Sequence, residues 1–156
     1  MISYQAATAG DRETIEALLH AERLPSADLE TSGVALIAAK MRDRVVGCVG
    51  VESHGDAGII RSLAVAPEYR GRGIARSLVS RAEALASGGG VRCLYLLTEG
   101  AVEFWSRIGY VAVPRTESPP AVRASAEFSS LCSVSATCMR HPLEGPTTGP
   151  FAKKKP

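Results

Sequence analysis

The sequence predicts an α/β fold in which helices flank a mixed β-sheet. Several short apolar runs are rich in branched residues and have the length of buried strands, as in residues 34–40 and 59–65. Two other segments, around residues 15–19 and 74–85, carry apolar side chains at helical spacing. Strands that alternate with helices in this way are typical of α/β domains.

The N-terminal part is predicted to form a strand, a helix and a long loop. The strand covers residues 2–6, and Thr8 then has the position of a helix N-cap. The segment 22–33 contains proline, serine, aspartate and glycine and reads as a loop. Loops of this length are often functional.

The central part is predicted to contain a run of strands followed by a helix. The strands lie at residues 34–40, 45–52 and 59–65. Pro67 prevents the last strand from continuing. A helix then begins at Ile74 and ends at the glycines of residues 88–90.

The C-terminal part continues the alternation. We predict a strand at 93–97, a helix at 101–108, a strand at 110–113, an exposed segment at 114–126 and a last strand region at 128–139. Residues 1–142 would form one domain, since 156 residues suit a single domain of ordinary size. The glycine, proline and lysine of residues 143–156 predict a disordered tail.

Composition excludes several classes of partner. The formal charge is only +2, from 18 basic and 16 acidic residues, which argues against a nucleic-acid surface. No apolar run reaches the roughly 18 residues that a membrane span needs, and the N-terminus lacks signal-peptide features. The four cysteines are too few for a dense disulfide framework. We therefore expect a cytoplasmic protein without nucleic-acid or membrane partners, either a monomer or a homodimer.

The segment Arg-Gly-Arg-Gly-Ile-Ala at residues 70–75 is the strongest functional signal. It lies between an apolar strand and an amphipathic helix, where the unpaired N–H groups of a helix start attract anions. Gly71 and Gly73 allow close approach to the backbone, and Arg70 and Arg72 add charged donors. The segment lacks the lysine of a Walker loop and the third glycine of the dinucleotide fingerprint. It therefore predicts a pyrophosphate site of another kind.

Two blocks of sequence carry a family resemblance. Residues 63–75, Leu-Ala-Val-Ala-Pro-Glu-Tyr-Arg-Gly-Arg-Gly-Ile-Ala, resemble the acetyl-CoA signature of the GNAT (GCN5-related) N-acetyltransferases, and residues 101–110 resemble the later helix and strand start of that family. The likeness covers about residues 2–140. It implies a mostly antiparallel sheet in which the strands at 59–65 and 93–97 splay apart.

The resemblance implies acetyl-CoA as cosubstrate, without a metal. The residues that it assigns to acetyl-CoA are Leu63, Ala64, Val65, Arg70, Gly71, Arg72, Gly73, Ile74, Ala75, Thr98 and Phe104. Thr98 stands where many members carry an asparagine, and a hydroxyl replaces that amide only in part. The histidines are scattered along the chain, and the spacing of Cys132 and Cys138 has little metal-site specificity.

Three shorter strings resemble the small arsenic-resistance (ArsN-type) N-acetyltransferases. They lie at residues 24–29, 94–98 and 127–132, the last followed by Cys138-Met139. This resemblance implies a small amine as acceptor, amino-acid-like or arsenic-containing. Two alternatives stay open: an acetyltransferase acting on proteins or peptides, and an acetyl-CoA-binding module without turnover.

The expected reaction is attack of an amine on the thioester, and it calls for a base. An alkyl amine with a pKa of about 10.4 is almost fully protonated at neutral pH. Glu52, at the end of the strand 45–52, is the preferred base, with a solvated carboxylate as the alternative interpretation. Glu127 is instead a candidate for holding a cationic substrate, and Glu103 is expected to be solvated.

No general acid can be assigned from the sequence. Trp105 occupies the position where many family members carry a tyrosine, and an indole is not a useful proton donor. Tyr95 and Tyr110 have apolar neighbours that favour core roles. Trivalent arsenicals prefer thiols, but Cys132 and Cys138 are expected to be buried or incidental thiols.

Overall fold

The structure, a computed structural model, describes residues 1–144 and is built on one seven-stranded sheet. The strands are β1 (Ile2–Ala6), β2 (Ala35–Met41), β3 (Arg44–His54), β4 (Ala57–Val65), β5 (Cys93–Thr98), β6 (Val111–Ala112) and β7 (Thr137–Pro142). The helices are α1 (Arg12–Ala21), α2 (Ile74–Gly88), α3 (Val102–Arg107) and α4 (Pro120–Arg123). The strand order is β1-β2-β3-β4-β5-β7-β6.

The sheet is mixed and mostly antiparallel. Five of its neighbouring pairs are antiparallel, and only β4 and β5 run parallel. The crossover between these two strands contains α2, as expected for a parallel connection. The predicted α/β fold with a mostly antiparallel sheet is confirmed.

The strands β4 and β5 separate after a short stretch of pairing. Their register pairs run only from Ala57 with Cys93 to Ile59 with Tyr95. Further along, β5 continues to pair with β7 as far as Thr98. The predicted splay of the central strand pair is therefore confirmed, and it opens a gap in the middle of the sheet.

The strand β4 also carries a bulge beside this gap. Ser62 has a φ of 60°, in the left-handed region that non-glycine residues seldom adopt. In the described part of the sheet, the register gives Ser62 and Leu63 no partner on β3 or β5. Bulges re-aim the backbone of a strand, and here the change occurs where the sheet opens.

The helices α1 and α2 cover opposite faces of the sheet. Ala38 and Cys48 belong to the cluster formed with α1, whereas their neighbours Ala39 and Val49 belong to the cluster formed with α2. Successive side chains of a strand point to opposite faces. The two apolar stripes predicted from the sequence therefore form separate cores on either side of the sheet.

The segment after β6 differs from its prediction. Residues 114–126 were expected to be exposed, but Ser118, Val122 and Ser125 are buried. The expectation is wrong for these three residues, while most of the segment is exposed as predicted. Val122 is buried because α4 places it in an apolar cluster with Ile59 of β4 and Tyr95 of β5. Ile59 and Tyr95 form the last register pair before β4 and β5 separate, so the segment packs beside the gap.

The last strand is also shorter than predicted. Strand β7 begins only at Thr137, and Glu127–Leu131 form a π-helical turn in which the N–H of Cys132 donates to the carbonyl of Glu127 at 3.1 Å. The apolar residues of 128–132 therefore belong to this turn and its end, not to a strand. Beyond β7, the N–H of Leu143 donates to the carbonyl of Arg92 at 2.8 Å. The rest of the predicted tail, residues 145–156, lies outside the described residues.

None of the four helices in residues 1–144 has both the length and the apolar composition of a membrane-spanning helix.

Candidate active site

A cavity of about 630 Å³ occupies the gap between β4 and β5. One wall comes from residues 60–63 of β4 and the facing wall from residues 96–98 of β5. It is also bordered by residues 22–25, after α1, by Glu127, Leu131, Cys132 and Ala136, and by Phe104 and Trp105 of α3. The first four residues of the predicted loop 22–33 therefore line a cavity whose size is typical of small-molecule sites.

The segment 70–75 forms a tight turn that leads into α2. Gly71 and Gly73 both have a φ of 79°, a conformation that strongly favours glycine. A Cβ atom at either position would have no neighbour within 4 Å, so the space in front of the turn is open. The helix begins at Ile74, directly after Gly73. The turn therefore offers open backbone N–H groups at the positive end of a long helix.

The two arginines of this turn have different neighbours. The guanidinium of Arg70 donates to the carboxylate of Glu22 and, through Nε, to the carbonyl of Val65 at 3.1 Å. The guanidinium of Arg72 lies 4.9 Å from the ring centre of Tyr69. Since Glu22 also lines the cavity, its contact with Arg70 links the turn to the cavity rim.

The other residues assigned to acetyl-CoA are divided between the cavity and the core. The cavity wall contains Leu63, Thr98 and Phe104. Ala64 and Val65 are buried in the two clusters on opposite faces of the sheet. The hydroxyl of Thr98 accepts a hydrogen bond from the N–H of Ala101 at 3.1 Å. Thr98 therefore already supports the start of α3.

A buried ionic cluster adjoins the cavity and includes Arg61 and Glu127 of its wall. The side chain of Arg61 in β4 is fully buried, and its guanidinium donates to both oxygens of Asp28 and to Oε2 of Glu52, each at 2.7 Å. Its Nε lies 3.4 Å from Oε1 of Glu127. The hydrogen bonds from Arg61 lower the pKa of Asp28 despite its burial. Arg61 thus forms ion pairs with three carboxylates that come from distant parts of the chain.

Glu52, the base predicted from the sequence, lies inside this cluster. It is 2% exposed, which excludes the alternative interpretation of a solvated carboxylate. Its Oε2 accepts from Arg61, and its Oε1 lies 2.9 Å from Nε2 of His54. Glu52 is not among the residues that line the cavity. Both of its oxygens are therefore engaged away from the place where substrates would meet.

Glu127 is the buried carboxylate that does line the cavity. Within the described residues, its Oε1 has no hydrogen-bond partner. Burial raises its pKa to about 6, and repulsion from Glu52 and Asp28 adds to the rise, while Arg61 opposes it. The sequence predicts only a substrate-holding role for Glu127. Arg61, in the apolar strand 59–65, is the sequence feature that indicates a buried carboxylate cluster, because a buried guanidinium requires carboxylate partners.

The aromatic residues near the cavity form a packed group. Trp105 is 6% exposed and lies edge-on to Phe104 and Tyr110, with ring centres 5.2 Å and 5.0 Å away. The hydroxyl of Tyr110 donates to Glu83 at 2.8 Å, and burial raises its pKa. Tyr95 is buried as well. The predicted core roles of both tyrosines are confirmed.

Neither Cys132 nor Cys138 is an activated thiol, because burial raises the pKa of each. Cys138 is buried, and Cys132 lines the cavity in a half-buried position. Burial raises the pKa of Cys132 to about 12, with a further rise from the neighbouring carboxylate of Glu127. Within residues 1–144, no group of three histidine, cysteine, aspartate or glutamate side chains is placed to hold a metal ion.

The chain resembles known acetyltransferases in sequence. Residues 32–112 match the profile of the acetyltransferase (GNAT) domain family. An uncharacterised N-acetyltransferase of Chlorobaculum tepidum is 37% identical over 82 residues, which are 52% of this chain and 52% of that protein. The similarity therefore spans about half the length of this curated relative.

Solved structures share the fold. N-acetylglutamate synthase from Neisseria gonorrhoeae, complexed with coenzyme A and N-acetyl-glutamate, matches with a TM-score of 0.79 at 22% identity, over 92% of this chain and 35% of that one. Rv2747 from Mycobacterium tuberculosis, in complex with CoA and NLQ, matches with a TM-score of 0.75 at 23% identity, over 90% and 99% of the two chains. At these identities, the likeness concerns the fold.

Proposed function

Because the chain belongs to the GNAT acetyltransferase family, we propose that it transfers the acetyl group of acetyl-CoA to the amine of a small molecule. The observation that carries this proposal is the cavity at the point where β4 and β5 separate, with the glycine-rich turn that opens α2 nearby. An anion site and a cavity of small-molecule size are the two features that the reaction needs.

The turn at residues 70–75 would hold the pyrophosphate of the cosubstrate. Backbone N–H groups of Gly71, Gly73 and the first turn of α2 would donate to phosphate oxygens. Arg70 would exchange its contact with Glu22 for a phosphate. The carboxylate and the phosphate are both anions, and the Arg70–Glu22 pair is about half exposed. Arg72, about as accessible on the same turn, would add a second cation.

The pantetheine arm would follow β4 into the cavity. The backbone of Leu63 lies at the bulge without a register partner in the described sheet, which favours its pairing with a ligand. Thr98 and Phe104 would border the arm on the side of β5 and α3. Main-chain donors in this gap would polarise the acetyl carbonyl and bring the thioester carbon close to the acceptor amine.

The acceptor is proposed to be small. The cavity is bordered by residues 22–25 and by four residues of the segment 127–136, which favours a small amine over a protein segment lying in an open groove. The resemblance to ArsN-type enzymes supports an amino-acid-like or arsenic-containing amine. N-acetylglutamate synthase, which shares the fold, was solved with an acetylated amino acid.

A thiol-release assay with a panel of acceptors tests this function. The panel comprises amino acids, alkyl amines, polyamines, aminoglycosides, arsinic and phosphinic amino acids and a lysine peptide. We expect release of coenzyme A with at least one small amine and none with the peptide. Acetyl-CoA binding without release for any acceptor would instead support the non-catalytic alternative, which the tryptophan at position 105 keeps open.

A further inference from the structure

The cavity wall contains one carboxylate that is both buried and incompletely paired. Glu22 and Glu99, the other glutamates of the wall, are exposed, and Glu22 is bonded to Arg70. Glu127 is 4% exposed, and its Oε1 has no hydrogen-bond partner within the described residues. A buried oxygen without a hydrogen bond is costly and calls for an explanation.

The partners of Arg61 explain why this oxygen of Glu127 lies close to the guanidinium but receives no hydrogen bond from it. Asp28 and Glu52 accept hydrogen bonds from the terminal nitrogens of the guanidinium, each at 2.7 Å. The Nε hydrogen bond goes to the hydroxyl of Ser62 at 3.1 Å, and Oε1 of Glu127 lies 3.4 Å from the same nitrogen. Arg61 therefore attracts Glu127 electrostatically without satisfying its hydrogen-bonding capacity.

The charge balance of the cluster favours proton uptake at Glu127. One guanidinium stands against three carboxylates, and the side chain of Arg61 is fully buried. The ionisable groups that affect Glu127 are Arg61 of β4, Glu52 of β3, Asp28 of the loop after α1 and Cys132 of its own segment. An excess of negative charge behind the cavity wall attracts an ammonium group and stabilises a proton transferred to this carboxylate.

We propose that Glu127 is the general base that deprotonates the acceptor amine. This inference rests on the proposed function. Glu127 takes one proton from the ammonium group, and the nitrogen lone pair then attacks the thioester carbon. The C–S bond breaks as the amide forms, the second nitrogen proton passes to the coenzyme A sulfur, and the proton on Glu127 returns to solvent.

The cluster also gives Asp28, Glu52 and Arg61 a shared positioning role. Asp28 and Glu52 hold Arg61, and Arg61 keeps the side chain of Glu127 near its place without donating to Oε1. A pKa of about 6 leaves Glu127 mostly ionised at neutral pH and makes it a stronger base than an ordinary glutamate.

The test compares pH profiles of acetyl transfer for the wild type, Glu127→Gln, Glu52→Gln and Glu103→Gln. The acceptor probes are n-butylamine, glycine and L-glutamate at saturating acetyl-CoA. Glu103 is the matched control because its side chain is 91% exposed on α3. Thermal melting and calorimetry with acetyl-CoA verify that each variant folds and binds the cosubstrate.

We expect Glu127→Gln to lower kcat by about 100-fold or more with an unchanged Kd for acetyl-CoA. The wild-type inflection of kcat near pH 6 should disappear in this variant and persist in Glu103→Gln. In Glu52→Gln the inflection should move to lower pH, because a negative charge that raises the pKa of Glu127 is removed.

Several results would overturn the base role. One is a wild-type kcat and pH profile in Glu127→Gln. Another is a rise confined to the KM of the amine, which would indicate a residue that only holds a cation. A pH inflection lost in Glu52→Gln and kept in Glu127→Gln would assign the base to Glu52. If the wild type binds acetyl-CoA but acetylates no probe or panel amine, the proposed function itself fails.

Discussion

Arg61 is the residue on which the candidate site depends most. It lies in an apolar strand, and its charge is tolerated there because Asp28, Glu52 and Glu127 surround it. Buried ion pairs of this kind contribute little net stability, since desolvation offsets much of the attraction. We therefore interpret the cluster as a device that orients a carboxylate at the cavity.

The ionised form of Glu127 should cost stability. Its folded-state pKa of about 6 exceeds the ordinary value of 4.5, so the folded protein binds more protons than the unfolded chain between these values. The stability contributed by this group is therefore present below pH 4.5 and lost as pH rises through 6. At roughly 1.4 kcal/mol per pKa unit, the cost at neutral pH is roughly 2 kcal/mol.

Glu127→Gln tests this cost. We expect the variant to gain free energy of unfolding relative to the wild type as pH rises from 4.5 to 7.5, because an amide cannot ionise. Urea titrations at both pH values measure the difference, and Glu103→Gln should show no such trend. A constant difference between Glu127→Gln and the wild type would mean that the pKa of Glu127 is ordinary.

Arg70 and Arg72 should matter for the cosubstrate rather than for folding. Both side chains are exposed on the glycine-rich turn. We expect the double change to alanine to weaken acetyl-CoA binding at least tenfold, since each charge-assisted hydrogen bond contributes about 1.5 kcal/mol or more. Calorimetry measures the Kd, with Arg92→Ala, an exposed position before β5, as the control. Wild-type affinity in the double variant would exclude the charge contribution.

At the scale of elements, the site depends on where β4 and β5 part. Gly58 lies in the last stretch of pairing between these strands. A Cβ atom there would lie 2.9 Å from the carbonyl oxygen of Glu52 and 3.1 Å from a methyl group of Val91. Because Gly58 has no side chain, β4 can lie close to β3 and to the turn before β5, next to the point where β4 and β5 separate.

Gly58→Ala should therefore be destabilising. The first clash is with backbone, which cannot rotate away, so we expect a loss of about 1–3 kcal/mol in free energy of unfolding. Gly88→Ala is the matched control: it ends α2, has no neighbour within 4 Å of the added Cβ and should gain roughly 0.5–1 kcal/mol. Equal effects of the two changes in urea titrations would contradict the close-approach argument.

At the scale of the whole molecule, acetyl-CoA should join the two layers of helices. Its proposed site runs from the turn before α2 to the cavity bordered by residues that follow α1. A ligand present at 100 times its Kd stabilises the folded state by about 2.7 kcal/mol. For a chain of this size, we expect Tm to rise by about 5–10 °C.

Thermal melts with and without acetyl-CoA measure this shift. Coenzyme A should give a similar shift, because it retains the pyrophosphate, whereas acetate alone should give none. A Tm unchanged by both nucleotides would argue against the proposed cosubstrate. An undiminished shift after the change of Arg70 and Arg72 to alanine would argue against their contact with the pyrophosphate.

The N-terminal two thirds of the fold could be predicted because its signals are local. Helical spacing in α2 and branched residues in β3 and β4 each specify their own element. Residues 114–136 were predicted poorly, because α4 and the π-helical turn have no strong periodicity. Their conformation follows from the burial of Val122 and Phe128 against Ile59 and Tyr95, which are distant in sequence.

The sequence by itself determined the glycine-rich turn, the alternation of strands and helices, and the family. These depend on backbone conformation and spacing over a few residues, as in the positive φ of Gly71 and Gly73. Only the tertiary structure decided which carboxylate faces the cavity. Glu52 and Glu127 are both buried near Arg61. The register of β3 places Glu52 outside the cavity lining, whereas the π-helical turn places Glu127 in it.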